Sequence, residues 1–154
     1  MDSSNAIESE TGRAGGLRII VVDDSVAVRG RLVDSLIILR GVASVIEAGD
    51  VPAGLLLIDE HRPDVVVVDI EIPGKSGLDL LGIVRGTHRQ ATIIMFSIHD
   101  HPQLRRKCRD LGANFYFNKL TEFDRVAEVC RDLAEQQSGK SPRPSPDGTG
   151  ETPT

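Results

Sequence analysis

The runs LRIIVV (17–22) and DVVVVD (64–69) are apolar at consecutive positions, without the alternation that a strand with one wet face requires. A strand apolar on both faces has to lie inside a sheet covered on both sides, and this favours parallel pairing under helices. ASVIEA (43–48), ATIIMFS (91–97) and NFYFN (114–118) share the enrichment in Val, Ile and aromatic residues that marks strands. Helix signals fill the gaps between the runs. Ser25 caps a helix expected to reach about Arg40, where Gly41 supplies a stop, with Val26, Leu32, Val33, Leu36, Ile37 and Leu39 on its apolar face. Asp50 caps a second and Ser76 a third, HPQLRRKCRDLG forms a fourth, and Thr121 starts a fifth with Phe123, Val126, Ala127, Cys130 and Leu133 at three- and four-residue steps. The order is (βα)5. Right-handed crossovers turn it into an α/β fold with a doubly wound five-stranded parallel sheet, whose ligands bind beyond the carboxyl ends of the strands.

Residues 17–136 are expected to form this single domain. Residues 1–16 and the Ser/Pro/Gly-rich residues 137–154 are expected to be disordered tails, too poor in apolar side chains to build a core. The net charge of −5 and the scarcity of aromatics, with no Trp, argue against nucleic acid as a partner. The basic cluster Arg105, Arg106, Lys107 and Arg109 is accordingly read as a solvated helix face. Cys108 and Cys130 match no zinc or redox spacing and are read as reduced core fillers. His61 and His88 are read as ordinary surface residues, and His99 and His101 as parts of an exposed loop or first helical turn. The start of the chain has no secretory h-region and no apolar run is long enough to insert in a membrane, so a cytoplasmic location is expected.

The ends of the expected strands carry the chemistry. Asp23 and Asp24 follow the first strand, Asp69 ends the third, Ser97 ends the fourth and Lys119 follows the fifth, so these groups fall at one edge of one sheet. Three clustered carboxylates repel one another and call for a cation. All-oxygen ligation suits Mg²⁺ better than zinc. Neutralised acids, a lysine and a hydroxyl together suit phosphoryl transfer, with one aspartate able to act as the nucleophile.

The same residues carry a resemblance. Asp23-Asp24, then Asp69 followed by IEIPGKSGLDLL in a D-x-x-x-P-G-x-x-G pattern, then Ser97, then Gly112-Ala113 ahead of Tyr116 and Lys119, make the chain similar to the receiver domain of bacterial two-component response regulators, of the stand-alone chemotaxis type. The resemblance implies a flavodoxin-like sheet with strand order 2-1-3-4-5. It implies that Asp69 accepts a phosphoryl group from a sensor histidine kinase or phosphotransfer protein. Asp24 and Asp69 would ligate Mg²⁺ directly, Asp23 through water, and the Glu71 backbone carbonyl would complete the protein ligands. Lys119 would pair with the phosphoryl group, Ser97 would move toward it, and Tyr116 would swing inward and remodel a surface for a downstream protein. Such a domain is a signalling switch whose chemistry ends on itself, so it is not an enzyme in the ordinary sense. The chain departs from the family at Leu120, where a proline usually follows the lysine, and at Ile98, where a small residue is common.

Two other readings stand beside this one. A receiver that only binds partners, without phosphorylation, is suggested by Leu120 and Ile98. A phosphohydrolase with an aspartate nucleophile finds a faint echo in Asp69-x-Glu71, without an acid placed for the leaving group. The GKS at 74–76 is no P-loop, since Asp69 occupies the position of the first glycine of that motif.

Overall fold

The computed structural model describes residues 6–8, 15–72 and 76–137. Pro73, Gly74 and Lys75 of the expected turn, and nearly all of both expected tails, lie outside the described residues. Strands β1 (Ala6–Glu8), β2 (Leu17–Val22), β3 (Val42–Ala48), β4 (Val65–Asp69), β5 (Thr92–Ser97) and β6 (Phe115–Asn118) form one sheet in the order β1-β3-β2-β4-β5-β6. The five strands from β2 to β6 are parallel. They are the five read from the sequence, in the order expected. Helices α1 (Val26–Ile37), α2 (Val51–His61), α3 (Gly77–Thr87), α4 (Pro102–Asp110) and α5 (Phe123–Gln137) alternate with them.

The unalternating strand sequences are explained by two separate cores. In β2, Ile20 and Val22 pack with Ile58 of α2, Leu80 and Leu81 of α3 and Cys108 of α4. Their neighbours Ile19 and Val21 face the other way, onto Leu32, Val33 and Leu36 of α1 and Val126 and Cys130 of α5. Each of these four β2 positions therefore has apolar partners, and the gain is about 25 cal/mol for each Å² of apolar surface removed from water. Both cysteines are free and buried, and burial pushes the Cys108 thiol up to about 11 and the Cys130 thiol up to about 12.

The caps fall largely where the sequence put them. Ser25 Oγ accepts from Val28 N at 3.2 Å, Asp50 Oδ1 accepts from Ala53 N at 2.8 Å, and Ser76 and Asp79 close a reciprocal capping box. Gly41, at φ +91°, takes the left-handed turn beyond α1.

Four details differ from the sequence reading. Ala6–Glu8, assigned to a disordered tail, pairs antiparallel with Ser44–Ile46 of β3, covering part of an edge that would otherwise present free backbone groups. Helix α5 begins at Phe123, because Asn118 and Glu122 organise the preceding turn and Thr121 lies within it. Val26, assigned to the apolar face of α1, is 72% exposed. His88 is largely covered, its Nε2 lying 2.9 Å from Asp59 Oδ1 where α3 ends beside α2. Among the described residues no peptide bond is cis and no helix is long and apolar enough to cross a membrane.

Candidate functional site

Parallel register brings the polar strand ends together. Val22 of β2 lies beside Val68 of β4, Asp69 beside Phe96 of β5, and Ser97 beside Asn118 of β6. Asp23 thus emerges one residue past β2, next to the end of β4, and Lys119 one residue past β6. Backbone bonds continue the sheet into these positions, from Asp23 N to Ala48 O at 3.0 Å and from Lys119 N to Ser97 O at 2.9 Å. Asp23, Asp69 and Ser97 are the buried polar residues at this edge, and Asp24 stands exposed at its rim.

The side chains converge. Lys119 Nζ lies 2.7 Å from Asp23 Oδ2 and 3.1 Å from Asp69 Oδ2, with its stem nearly covered. Asp23 Oδ1 accepts from Ser25 N at 2.9 Å, and Asp69 Oδ1 accepts from Glu71 N at 3.0 Å. Asp23 Oδ2 is fully buried and has no directional hydrogen bond, so the Lys119 charge reaches it as an ion pair only. Burial alone would lower the Lys119 pKa, but the close contact with Asp23 and the charges of Asp69 and Asp23 outweigh it and hold the amine above its ordinary range.

Burial and the neighbouring charge of Asp23 raise Asp69 from 3.8 to about 6, against the opposing pull of Lys119. A carboxyl raised in this way binds its proton more tightly in the fold than in the unfolded chain, so stability is lost as pH climbs from 3.8 through about 6. At neutral pH without divalent metal, Asp69→Asn should therefore stabilise the protein by about 1–3 kcal/mol, one pKa unit being worth about 1.4 kcal/mol. Urea denaturation in the presence of a chelator measures this. A destabilised Asn variant would mean that Lys119 gains more from Asp69 than crowding costs.

The donor set fits a hard divalent cation. Asp23, Asp24 and Asp69 each offer a carboxylate oxygen, and these oxygens lie within 4.8 Å of one another. Added to the unsatisfied Asp23 Oδ2, this is a cradle of oxygens for Mg²⁺ rather than a set for zinc. Glu71 sends its side chain elsewhere, its Oε2 meeting His99 Nε2 at 2.6 Å.

Ser97 Oγ accepts from His99 N at 3.0 Å, and its own hydrogen can donate, with Tyr116 beside it. Tyr116 stands inside, with its hydroxyl bonded to the His99 carbonyl. Leu120 and Ile98 are exposed on the loops that carry Lys119 and Ser97. The Leu120 loop is organised by Asn118, whose Oδ1 accepts from Leu120 N at 2.8 Å.

Three supporting residues were invisible in the sequence. Arg29 of α1 donates from Nη1 to Asp23 O at 2.7 Å and pairs through Nε with Glu47 Oε1 at 3.0 Å, fixing the backbone that carries the acidic pair. His99 joins Ser97, Tyr116 and Glu71. Arg105, assigned to a solvated face, turns toward Tyr116. A single arginine on an amphipathic helix gives no local sign of such a partner.

A family model described as the response regulator receiver domain matches residues 19–131. The probable transcriptional regulatory protein NarL of Mycobacterium tuberculosis (strain ATCC 25618 / H37Rv) is 29% identical over 126 residues, covering 82% of this chain and 58% of that protein. The chain thus spans little more than half the length of this relative. The chemotaxis protein CheY of Bacillus subtilis (strain 168) is 30% identical over 112 residues, covering 73% of this chain and 92% of that protein. Among solved structures, the signal receiver domain of the putative response regulator NarL from Mycobacterium tuberculosis aligns with a TM-score of 0.71 at 29% identity, over 79% of this chain and 98% of that one.

Proposed function

Because the chain belongs to the response regulator receiver domain family, we propose that it accepts a phosphoryl group on Asp69 in a Mg²⁺-dependent step and signals through protein contacts. The donor is a phosphohistidine on a sensor histidine kinase or phosphotransfer protein, and the location is the cytoplasm. Receiver domains are signalling modules rather than enzymes, and their acidic pocket binds Mg²⁺. The observation that carries the reading for this chain is Asp69 itself, a buried carboxylate held between the repulsion of Asp23 and the Lys119 amine 3.1 Å away.

Asp24 and Asp69 would hold the cation, with Asp23 acting through water and the Glu71 carbonyl as a further ligand. Bound there, Mg²⁺ neutralises the acids and the incoming phosphoryl oxygens. An Asp69 carboxylate oxygen attacks phosphorus, the bond from phosphorus to the donor imidazole nitrogen breaks, and that nitrogen keeps the electron pair. Lys119 passes from the Asp69 carboxylate to the new phosphoryl oxygens. The Ser97 hydroxyl donates to another of them. In doing so Ser97 moves against its bond from His99 N, and that bond connects the phosphoryl site to the loop bearing Tyr116's partner. The phosphoryl group thereby favours whichever arrangement of Ser97 and Tyr116 binds it better.

Incubation with Mg²⁺ and acetyl phosphate or phosphoramidate, followed by intact mass, tests this reading. The wild type should gain one phosphoryl group and lose it over time, while Asp69→Asn gains none. An unmodified wild type at millimolar donor with metal present would end the proposal in favour of a partner-binding receiver that is never phosphorylated.

A further inference from the structure

Tyr116 is 9% exposed, and His99 and Arg105 hold it there. Its hydroxyl donates to the His99 carbonyl oxygen. The Arg105 guanidinium lies over its ring, 4.6 Å from the centroid, while Nη1 of the same arginine donates to the Tyr116 carbonyl at 3.2 Å. Arg105 is itself fixed from two sides, through Nε to Asp100 Oδ1 at 2.5 Å and through Nη2 to Glu122 Oε1 at 3.4 Å. Asn118 joins both acids, with Nδ2 3.3 Å from Asp100 Oδ2 and its backbone N 2.9 Å from Glu122 Oε1. A planar guanidinium can stack on a ring and donate in its own plane at once, which an ammonium cannot. Surface ion pairs are individually weak, but this set shares one arginine whose position is determined from the α4 entry, from β6 and from the turn before α5.

Ser97 reaches Tyr116 through its hydroxyl and through His99 N, whereas the Arg105 contacts run to Tyr116, Asp100 and Glu122. The Arg105 contacts thus hold Tyr116 as a restraint separate from the route through Ser97 and His99. We propose that Arg105 is the positioning residue of the Tyr116 switch, clamping the ring inward so that the face made by α4, β6 and α5 already favours its Tyr116-inward form before Asp69 is phosphorylated. The inference rests on the preceding reading of Tyr116 as the switch residue. In consequence, a partner engaging that face senses the state of Arg105 as much as the state of Asp69, and any group that draws Arg105 away from Asp100 and Glu122 releases the ring.

The chain has one Tyr and no Trp, so its intrinsic emission reports Tyr116 alone. Acrylamide quenching of that emission is measured on the full chain with Mg²⁺, before and after acetyl phosphate, with intact mass read on the same samples. In the wild type the quenching constant should change by less than about twofold on phosphorylation, as expected when a ligand shifts an equilibrium that already lies to one side. In unmodified Arg105→Ala the inward-to-outward ratio should fall by about tenfold, equivalent to about 1.4 kcal/mol, so quenching rises, and phosphorylation should lower it again. Arg105→Lys, which keeps the charge without the plane, should lie between the two; if Arg105→Ala does not fold by circular dichroism, this variant carries the test. The inference is overturned if unmodified Arg105→Ala, or Arg105→Lys in its place, is as protected as wild type, or if wild-type protection rises severalfold on phosphorylation. Failure to gain a phosphoryl group would instead overturn the Asp69 reading, and the comparison of unmodified proteins would still decide the role of Arg105.

Discussion

Lys119→Met lowers the stability of the metal-free protein by about 3–5 kcal/mol, the usual cost of removing one partner from a buried ion pair. The Lys119 side chain is 11% exposed, and its ammonium is the cation that faces both Asp23 and Asp69. Without it, Asp23 Oδ2 is left buried with neither a hydrogen bond nor a counter-charge, beside a second carboxylate that its own charge already disfavours. Methionine keeps most of the apolar stem and removes only the ammonium, including its place over the Phe96 ring 5.8 Å from the centroid, so the loss reports charge rather than packing. Chemical denaturation at neutral pH with a chelator measures it. Asp23→Asn in the Lys119→Met background should recover part of the loss, because it removes the stranded charge. Mg²⁺ should stabilise Lys119→Met by more than it stabilises wild type, since a site with one more net negative charge binds the cation more tightly. A loss below about 1 kcal/mol would place the pair in the class of surface salt bridges and undo the electrostatic account of the site.

The same electrostatics explain why the site could be read from the chain. In a doubly wound sheet the strands end at a common edge, so Asp23, Asp69, Ser97 and Lys119, each at or just past the end of an apolar run, had to meet if the runs were parallel strands. The unalternating valines of β4 made that pairing legible, because only a sheet covered on both faces can bury Val65 through Val68. What stayed hidden depended on pairs distant in sequence. Arg29 reaches Glu47 in the next strand, His88 reaches Asp59 across two helices, and Arg105 reaches Tyr116 and Glu122 beyond the end of its own helix. Each arginine and histidine has the composition of a solvated face when read locally. Ala6–Glu8 was missed for the opposite reason, since three residues in a polar segment have no period to detect and pair only because β3 offers an edge.

The glycine at the end of the Asp69 pattern has a physical reason that leads to the second large effect. Gly77 opens α3, donates to Ile70 O at 2.8 Å, and is pressed so closely on the end of β4 that a Cβ would stand 2.2 Å from Asp69 O and 2.8 Å from Ile70 Cα. These are backbone atoms and cannot rotate away. Gly77→Ala must therefore push the helix start off the strand end, at a cost of about 3 kcal/mol or more, the upper range for overpacking a dense interior. It also shifts the peptide that carries the phosphoacceptor, and a displacement near 1 Å slows a positioned reaction by about 100-fold. Denaturation and the rate of phosphoryl gain from acetyl phosphate read the two effects. Gly82, in the same helix with nothing within 4 Å of its would-be Cβ, is the control. Gly82→Ala should stabilise by about 0.5–1 kcal/mol through helix propensity and leave phosphorylation unchanged. If Gly77→Ala behaved like Gly82→Ala, α3 would be free to retreat without moving Asp69, and the tight seating of helix on strand end would have no part in placing the nucleophile.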